Sequence, residues 1–166
     1  MKILVTYYSE SGNTEKLAQA IYDTIEEPGK EILPVQEVQN VNAYDLIFCG
    51  FPVQANTVPG KMAKFLKNIQ EGKKVAIFAT HGSLRGGQLA TTAFEYAASL
   101  PSKANILGTF GCRGKVKTEI IDALMKQPEH KAWAEEAQSA VTHPDEADLE
   151  DGREFARRMI NKARSK

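Results

Sequence analysis

The sequence predicts an α/β protein built as a doubly wound, three-layer sandwich around a five-stranded parallel sheet. Three observations support this prediction. Short apolar runs alternate with segments of helical periodicity, the runs are apolar at nearly every position, and loops of unusual composition follow three of them. Right-handed crossovers leave few topologies for such a sheet, and the strand order 2-1-3-4-5 is one of them. We expect the chain to form a single domain, 1–166.

The predicted strands are near-continuous runs of apolar, partly β-branched residues. Such runs are typical of parallel strands that helices cover on both faces, because neither face then meets water. The predicted strands are residues 3–7, 31–35, 46–49, 75–80 and 106–110.

The predicted helices carry apolar residues at helical spacing, together with end signals. Pro59 suits a first helical turn, and the last helix has acidic residues near its start and basic residues near its end, which complements the helix dipole. The predicted helices are residues 14–26, 59–69, 88–99 and 145–163. Residues 111–144 form a less regular excursion, with short helices expected at 118–125 and 129–140.

Composition and charge argue against several functional classes. The 21 basic and 21 acidic residues give zero formal net charge, which predicts neither a nucleic-acid partner nor an anionic membrane surface. With no leader at Met1 and no apolar run long enough to span a bilayer, we expect a cytoplasmic protein. The three histidines are not spaced as metal ligands with Cys49 and Cys112, so we predict no metal.

The loop after the first predicted strand has the features of a phosphate site. Its residues are Ser9, Glu10, Ser11, Gly12, Asn13 and Thr14. Hydroxyls, a glycine and the first amides of a helix meet there, and the positive end of the helix dipole favours an anion. Neither a Walker lysine nor the spaced glycines of a dinucleotide fingerprint is present. The alternative is a turn in which Asn13 or Ser11 caps the helix, and the loop taken alone favours it.

A family resemblance reverses that preference. Ser-x-Ser-Gly-Asn-Thr after a first strand resembles the FMN phosphate loop of flavodoxins, and the similarity continues through residues 14–18, 72–78 and 143–147. It therefore spans most of the chain. The resemblance implies a flavodoxin-like fold with the strand order 2-1-3-4-5, FMN as the cofactor, and a phosphate held by residues 9–14.

The resemblance also implies that two later loops hold the flavin ring. In flavodoxins, the loop after strand three contacts one ring face and carries the peptide bonded to flavin N5, and the loop after strand four covers the edge near N1, N3 and O2. The residues that match the first of these loops are Pro52, Val53, Gln54, Ala55, Asn56 and Thr57. Those that match the second are Thr80, His81, Gly82, Ser83, Leu84, Arg85, Gly86 and Gly87.

Departures from the flavodoxin pattern bear on the redox chemistry. Neither ring loop contains tryptophan or tyrosine, so we expect little stacking and a modest affinity for FMN. Asn56 enters a left-handed conformation less freely than glycine, which predicts weaker stabilisation of the one-electron reduced cofactor. His81 and Arg85 replace carboxylates and are candidate tuning residues, because a cation near N1 raises the reduction potential. A solvated loop with a capping histidine is an equally open alternative.

The leading functional hypothesis is an FMN-binding redox protein that transfers electrons to or from a partner protein. The flavin then carries the chemistry, and no side chain is a catalytic candidate. One alternative is an FMN-dependent reductase of a small molecule such as a quinone. Another is a flavodoxin-fold binding module that has lost FMN. Electron transfer is favoured because no second phosphate motif for a nicotinamide nucleotide is present.

Two further residues have alternative roles. Cys112 follows the fifth predicted strand and could face the crevice beside cations that lower its thiol pKa, but a small core residue is the favoured role. Trp133 lies in the excursion among alanines, where it could pack the extra helix onto the body or recognise a partner.

Overall fold

The computed structural model describes residues 1–165, in which helices cover both faces of a five-stranded parallel sheet. The strands are β1 (Ile3–Tyr7), β2 (Lys30–Pro34), β3 (Leu46–Pro52), β4 (Lys74–His81) and β5 (Asn105–Arg113). Their order in the sheet is β2-β1-β3-β4-β5, and every neighbouring pair is parallel. The predicted fold class and strand order are therefore confirmed.

Helices α1 to α6 follow the predicted pattern closely. They are α1 (Asn13–Thr24), α2 (Gly60–Lys67), α3 (Gln88–Ser99), α4 (Thr118–Met125), α5 (Lys131–Gln138) and α6 (Glu146–Arg164). Pro59 is the residue immediately before α2 rather than part of its first turn. Among the residues described, none of the helices combines the length and apolar character that crossing a bilayer requires.

Two strands extend beyond their predicted ends. β3 continues to Pro52, which pairs with Thr80, and β5 continues to Arg113, which pairs with His81. Gly111 to Arg113 therefore belong to the sheet, and the predicted excursion at 111–144 begins only at Gly114. Ladder pairing with a neighbouring strand lengthens these elements past their apolar runs, and that pairing is a property of the assembled sheet.

The core lies on both faces of the sheet, which explains the continuous apolar runs. Leu17 of α1 and Phe155 of α6 pack on one face, and Met62 of α2 packs on the other. Cys49 and Cys112 are both fully buried, and burial raises the pKa of the Cys112 thiol to about 12. Cys112 is therefore a core residue, and the activated thiol considered as the alternative is not present.

Residues 114–144 form a helical arm that leaves β5 and returns at α6. The arm has an apolar cluster of its own, in which Ile121 packs with Ala134 and Ala137. Its first residue is tied to the sheet, because the Gly114 amide donates to the His81 carbonyl at 2.8 Å. The arm thereby reaches the carboxyl ends of the strands, where the predicted site lies.

Candidate cofactor site

The loops that follow β1, β3 and β4 meet at the carboxyl ends of the strands. We call them the first loop (residues 9–14), the second loop (52–57) and the third loop (80–87). Two adjoining cavities lie between these loops and the helical arm. The loop cavity, of about 130 Å³, is bounded by the first loop, and the apolar cleft, of about 730 Å³, lies between the other two loops and the arm.

The start of α1 is uncapped and faces the loop cavity. Gly12 precedes the helix with φ 90°, in the left-handed region that suits glycine, and no side chain caps the helix. Within residues 1–165, the amides of Asn13, Thr14 and Glu15 donate to no protein acceptor. The capping alternative for Asn13 and Ser11 is therefore wrong, and the first turn leaves three donors for an external anion.

The hydroxyls of the first loop surround these free amides. Ser9 Oγ accepts a hydrogen bond from the Gly12 amide at 3.2 Å. Thr14 is buried, and its Oγ1 lies 2.8 Å from Thr80 Oγ1 at the end of β4. If Thr80 is the donor of that bond, the Thr14 hydroxyl proton is free for the cavity. Since Ser9, Ser11 and Thr14 all line the loop cavity, the residues present fit a phosphate group.

The apolar cleft brings the second loop, the third loop and the helical arm together. From the loops its lining includes Val53, Gln54, Ala55, Asn56, His81, Gly82 and Ser83. From the arm it includes Val116, Ile120, Leu124, Glu129, His130 and Trp133. Its volume is within the range of small-molecule sites, and its predominantly apolar side chains suit a flat aromatic ring.

The arm supplies the aromatic side chain that the two ring loops lack. Trp133 of α5 lines the cleft, and its Nε1 donates to Ser83 Oγ at 3.0 Å. The role of Trp133 could not be chosen from the sequence, because its partner Ser83 is 50 residues away in the chain. Its position among alanines on a predicted helix was the one feature of the sequence that indicated packing against the rest of the domain.

The second loop turns sharply where it borders the cleft. Gln54 and Thr57 exchange two backbone hydrogen bonds of 2.9 and 3.1 Å. The residues between them, Ala55 at φ 45° and Asn56 at φ 65°, are both left-handed. Asn56 therefore already has the left-handed conformation that asparagine adopts less freely than glycine. Ala55 carries the larger strain, because its side chain offers no local hydrogen bond.

His81 is neutral at the site rather than cationic. It is 6% exposed, and its Nδ1 lies 2.9 Å from the Ser83 carbonyl, which only accepts hydrogen bonds. The proton is therefore on Nδ1. Burial lowers the pKa of His81, the nearby Arg113 and Arg85 lower it further, and the bond to Ser83 opposes them. The predicted positive charge at this position is absent near neutral pH.

Arg85 is turned toward α6, and its charge is compensated there. Its guanidinium contacts Asp151 at 2.6 Å and Asp148 at 3.2 Å, and lies 5.6 Å from the centre of the Phe110 ring. Arg85 lines neither cavity, and its predicted role as a cation beside the flavin stays a prediction that these linings do not support. The predicted site residues that likewise lie outside both linings are Gly12, Thr57, Leu84, Gly86 and Gly87.

Lysines of the arm supply the positive charge that the first loop lacks. Lys115 and Lys117 line the loop cavity, opposite the first loop. Glu10 lies close by, and its pKa is lowered by hydrogen bonds from Tyr8 and Gln54 and by the charge of Lys117. These lysines could not be assigned to the site from the sequence, because they are about a hundred residues from the first loop, as the 102-residue separation of Asn13 and Lys115 illustrates.

One cluster of metal-binding residue types lies at the start of α6. Ligand atoms of His143, Asp145 and Asp148 lie within 4.8 Å of one another. Asp145 and Asp148 form the capping box of the helix, and His143 Nδ1 bonds the Asp148 carboxylate. The spacing of the histidines relative to the cysteines does not reveal this group, because its other members are aspartates. The absence of a metal remains a prediction.

The fold and the site together define a class of protein. It is a doubly wound α/β protein in which an uncapped helix start and an adjoining apolar cleft match a phosphate-bearing, flat-ringed cofactor. The chain belongs to the flavodoxin family, since the family model of the flavodoxin domain matches residues 4–157.

Individual relatives agree with this assignment. The flavodoxin-like domain-containing protein BilS of Clostridioides difficile (strain CD3) is 33% identical over an alignment of 175 positions, which covers 98% of each chain. Flavodoxin 2 from Bacillus cereus is 23% identical, with 98% of this chain and 99% of its own covered and a TM-score of 0.60. A Lactobacillus acidophilus flavoprotein solved in complex with FMN is 22% identical, covering 66% of this chain and 92% of its own, with a TM-score of 0.54.

Proposed function

We propose that the chain binds FMN in these adjoining cavities and transfers electrons to or from a partner protein. The observation that carries the proposal is the uncapped start of α1, whose three free amides face a cavity that opens onto an apolar cleft. Family membership and the FMN complex of a structural neighbour support FMN as the cofactor. Bound FMN supplies the redox chemistry, since it accepts and releases electrons.

The first loop holds the phosphate in this proposal. The amides of Asn13, Thr14 and Glu15 donate to the phosphate oxygens, and the hydroxyls of Ser11 and Thr14 add further donors. Because Thr14 is buried against Thr80, the end of β4 keeps the hydroxyl in place. The helix dipole favours the negative charge at the same point.

The apolar cleft holds the ring and keeps water away from it. Val53 and the left-handed turn that follows it form one side, and Gly82 and Trp133 form part of the other. The amide of Val53 is already bonded to the Thr80 carbonyl at 2.9 Å, so it fixes the second loop to the sheet instead of serving the ring. Neutral His81 stands at the junction of the two cavities.

The cleft also supports a second candidate function, reduction of a small apolar molecule. The cleft extends past the two ring loops to Ile120 and Leu124 of α4, which offers apolar surface next to the proposed ring site. Rapid turnover of a quinone by the FMN-loaded protein with a nicotinamide donor would select this function. A module that has lost FMN is disfavoured, because such a loss gives no reason to keep the helix start uncapped. The cytoplasm remains the predicted location.

A charge placed in the first loop tests the proposal. FMN is titrated into the protein, and binding is followed by the change in flavin fluorescence. Ser11→Glu puts a carboxylate beside the free amides and is expected to weaken FMN binding by more than about tenfold through repulsion and occupation of the donors. The control, Ser102→Glu, adds the same charge in the exposed turn before β5. This turn lies at the amino ends of the strands, away from the site, so the affinity should be unchanged.

Two outcomes would contradict the proposal. One is the absence of FMN uptake by the wild-type protein. The other is an equal affinity for FMN in the two serine variants, because the phosphate would then lie elsewhere.

A further inference from the structure

We propose that Lys115 and Lys117 of the helical arm compensate the charge of the cofactor phosphate and make the site select FMN over riboflavin. This inference rests on the proposed function and adds to it a second chain segment that discriminates between the phosphorylated and unphosphorylated flavin. A phosphate monoester carries about −1.5 to −2 charges at pH 7, so its site has a charge to balance.

The first loop does not balance that charge. It contains one ionisable residue, Glu10, and the first turn of α1 adds Glu15. Both carboxylates are negative, and both accept hydrogen bonds from nearby tyrosines, at 2.6 Å for Glu10 and 3.0 Å for Glu15. Lys16 is the next cation along the chain, but its Nζ donates to the Pro144 carbonyl at 2.9 Å. The free amides therefore face a phosphate beside two acidic side chains.

The backbone holds the two arm lysines opposite the first loop. Asn13 Nδ2 donates to the Lys115 carbonyl at 2.9 Å, and the Lys115 amide donates to the His143 carbonyl at 2.9 Å. Gly114 permits this close approach, since a Cβ at that position would lie 2.9 Å from Asn13 Nδ2. The backbone of Lys115 is therefore fixed beside the first loop, two residues before Lys117.

Both lysines are available for an anion. Each lines the loop cavity and is exposed. Within residues 1–165, the ion pairs made by lysine side chains are Lys103–Glu71 and Lys131–Glu135, so neither cavity lysine is committed to a carboxylate. Lys117 nevertheless acts electrostatically on Glu10, which indicates that its charge reaches the first loop. A phosphate in the cavity would attract the positive charge of Lys117 more strongly than the Glu10 carboxylate does, because it carries more negative charge.

The test compares FMN with riboflavin, which has the same ring but no phosphate. The variant Lys115→Gln/Lys117→Gln is expected to bind FMN about tenfold more weakly and riboflavin with unchanged affinity, since two partly screened Coulomb contacts are lost. Its FMN affinity should also depend less on salt. Lys64→Gln/Lys67→Gln removes the same net charge from exposed positions on α2 and is the matched control. Arginine at positions 115 and 117 should retain selectivity.

The outcomes separate this inference from the proposed function. Unchanged FMN affinity in the Lys115→Gln/Lys117→Gln variant would refute the inference alone. An equal loss for both flavins would also refute it, because the lysines would then support the ring or the fold and not the phosphate. A wild-type protein that binds neither flavin would refute the proposed function, and the inference with it. A circular dichroism melt of each variant verifies that the fold is retained.

Discussion

Replacing Gly82 with alanine is expected to push the helical arm away from the third loop. A Cβ at this position would lie 2.5 Å from Val116 Cγ2 and 3.3 Å from Trp133 Cζ2. The first distance is far inside van der Waals contact, so either the side chain or the arm must move. Because both contacted residues line the apolar cleft, the same movement changes the shape of the proposed ring site.

The expected cost follows from two opposing contributions. Overpacking of this kind destabilises the folded protein by about 1 to 3 kcal/mol. Exchanging glycine for alanine also reduces the freedom of the unfolded chain, which stabilises the protein by about 0.4 to 1 kcal/mol. The net loss in the free energy of unfolding therefore lies between about 0 and 2.6 kcal/mol, and the midpoints of the two ranges give about 1.3 kcal/mol. Gly60→Ala is the control, since a Cβ there has nothing within 4 Å, and it should not destabilise.

A double-mutant cycle with Val116→Ala measures the clash directly. Val116→Ala alone should cost about 1 kcal/mol, because the side chain is only half-buried. In the double variant the clashing methyl is gone, so the two effects should couple favourably by about 1 kcal/mol. Urea unfolding supplies the free energies, and hydrogen exchange of the α4 and α5 amides reports on the arm. Additive free energies with unchanged exchange would refute the reasoning.

Two further predictions concern the same edge of the sheet. Burial lowers the pKa of His81 in the folded state, so the unfolded chain binds a proton at this residue more readily. The free energy of unfolding should therefore fall as the pH drops below about 6.5. In denaturant titrations, the His81→Gln variant should show a less steep fall. An equally steep fall in the variant would contradict this assignment. Ala55→Gly should leave stability unchanged or raise it by up to about 1 kcal/mol, because Ala55 is left-handed, whereas Ala63→Gly within α2 should cost about 1 kcal/mol. Equal losses in the two variants would argue against strain at Ala55.

The strands and helices could be predicted from the sequence because they depend on local patterns of residues. Apolar runs and helical spacing each act over a few residues, and they predicted the five strands and the six helices. The strand order was predicted through the family resemblance. The phosphate-type loop was predicted through the family resemblance, since the local pattern of residues 9–14 taken alone favoured a capped turn. Strand ends were less accurate, as β3 and β5 show, because pairing with neighbours extends them.

The electrostatics of the site could not be predicted in the same way. His81 and Arg85 were expected to bring positive charge to the ring, but burial lowers the pKa of the first and two carboxylates of α6 compensate the second. The partners of Arg85 are 63 and 66 residues away in the chain. A formal charge is set by residue type, whereas the charge that a site experiences depends on burial and on partners.

The sequence by itself determined the alternation of strands and helices, the burial of both sheet faces and the glycine that precedes the first helix, because each of these depends on neighbouring residues. Only the tertiary structure decided which side chains surround that point. Packing of the helical arm brings Trp133 to Ser83 and Lys115 to Asn13, across 50 and 102 residues. Such contacts form only when distant segments are folded together, since no local pattern specifies them.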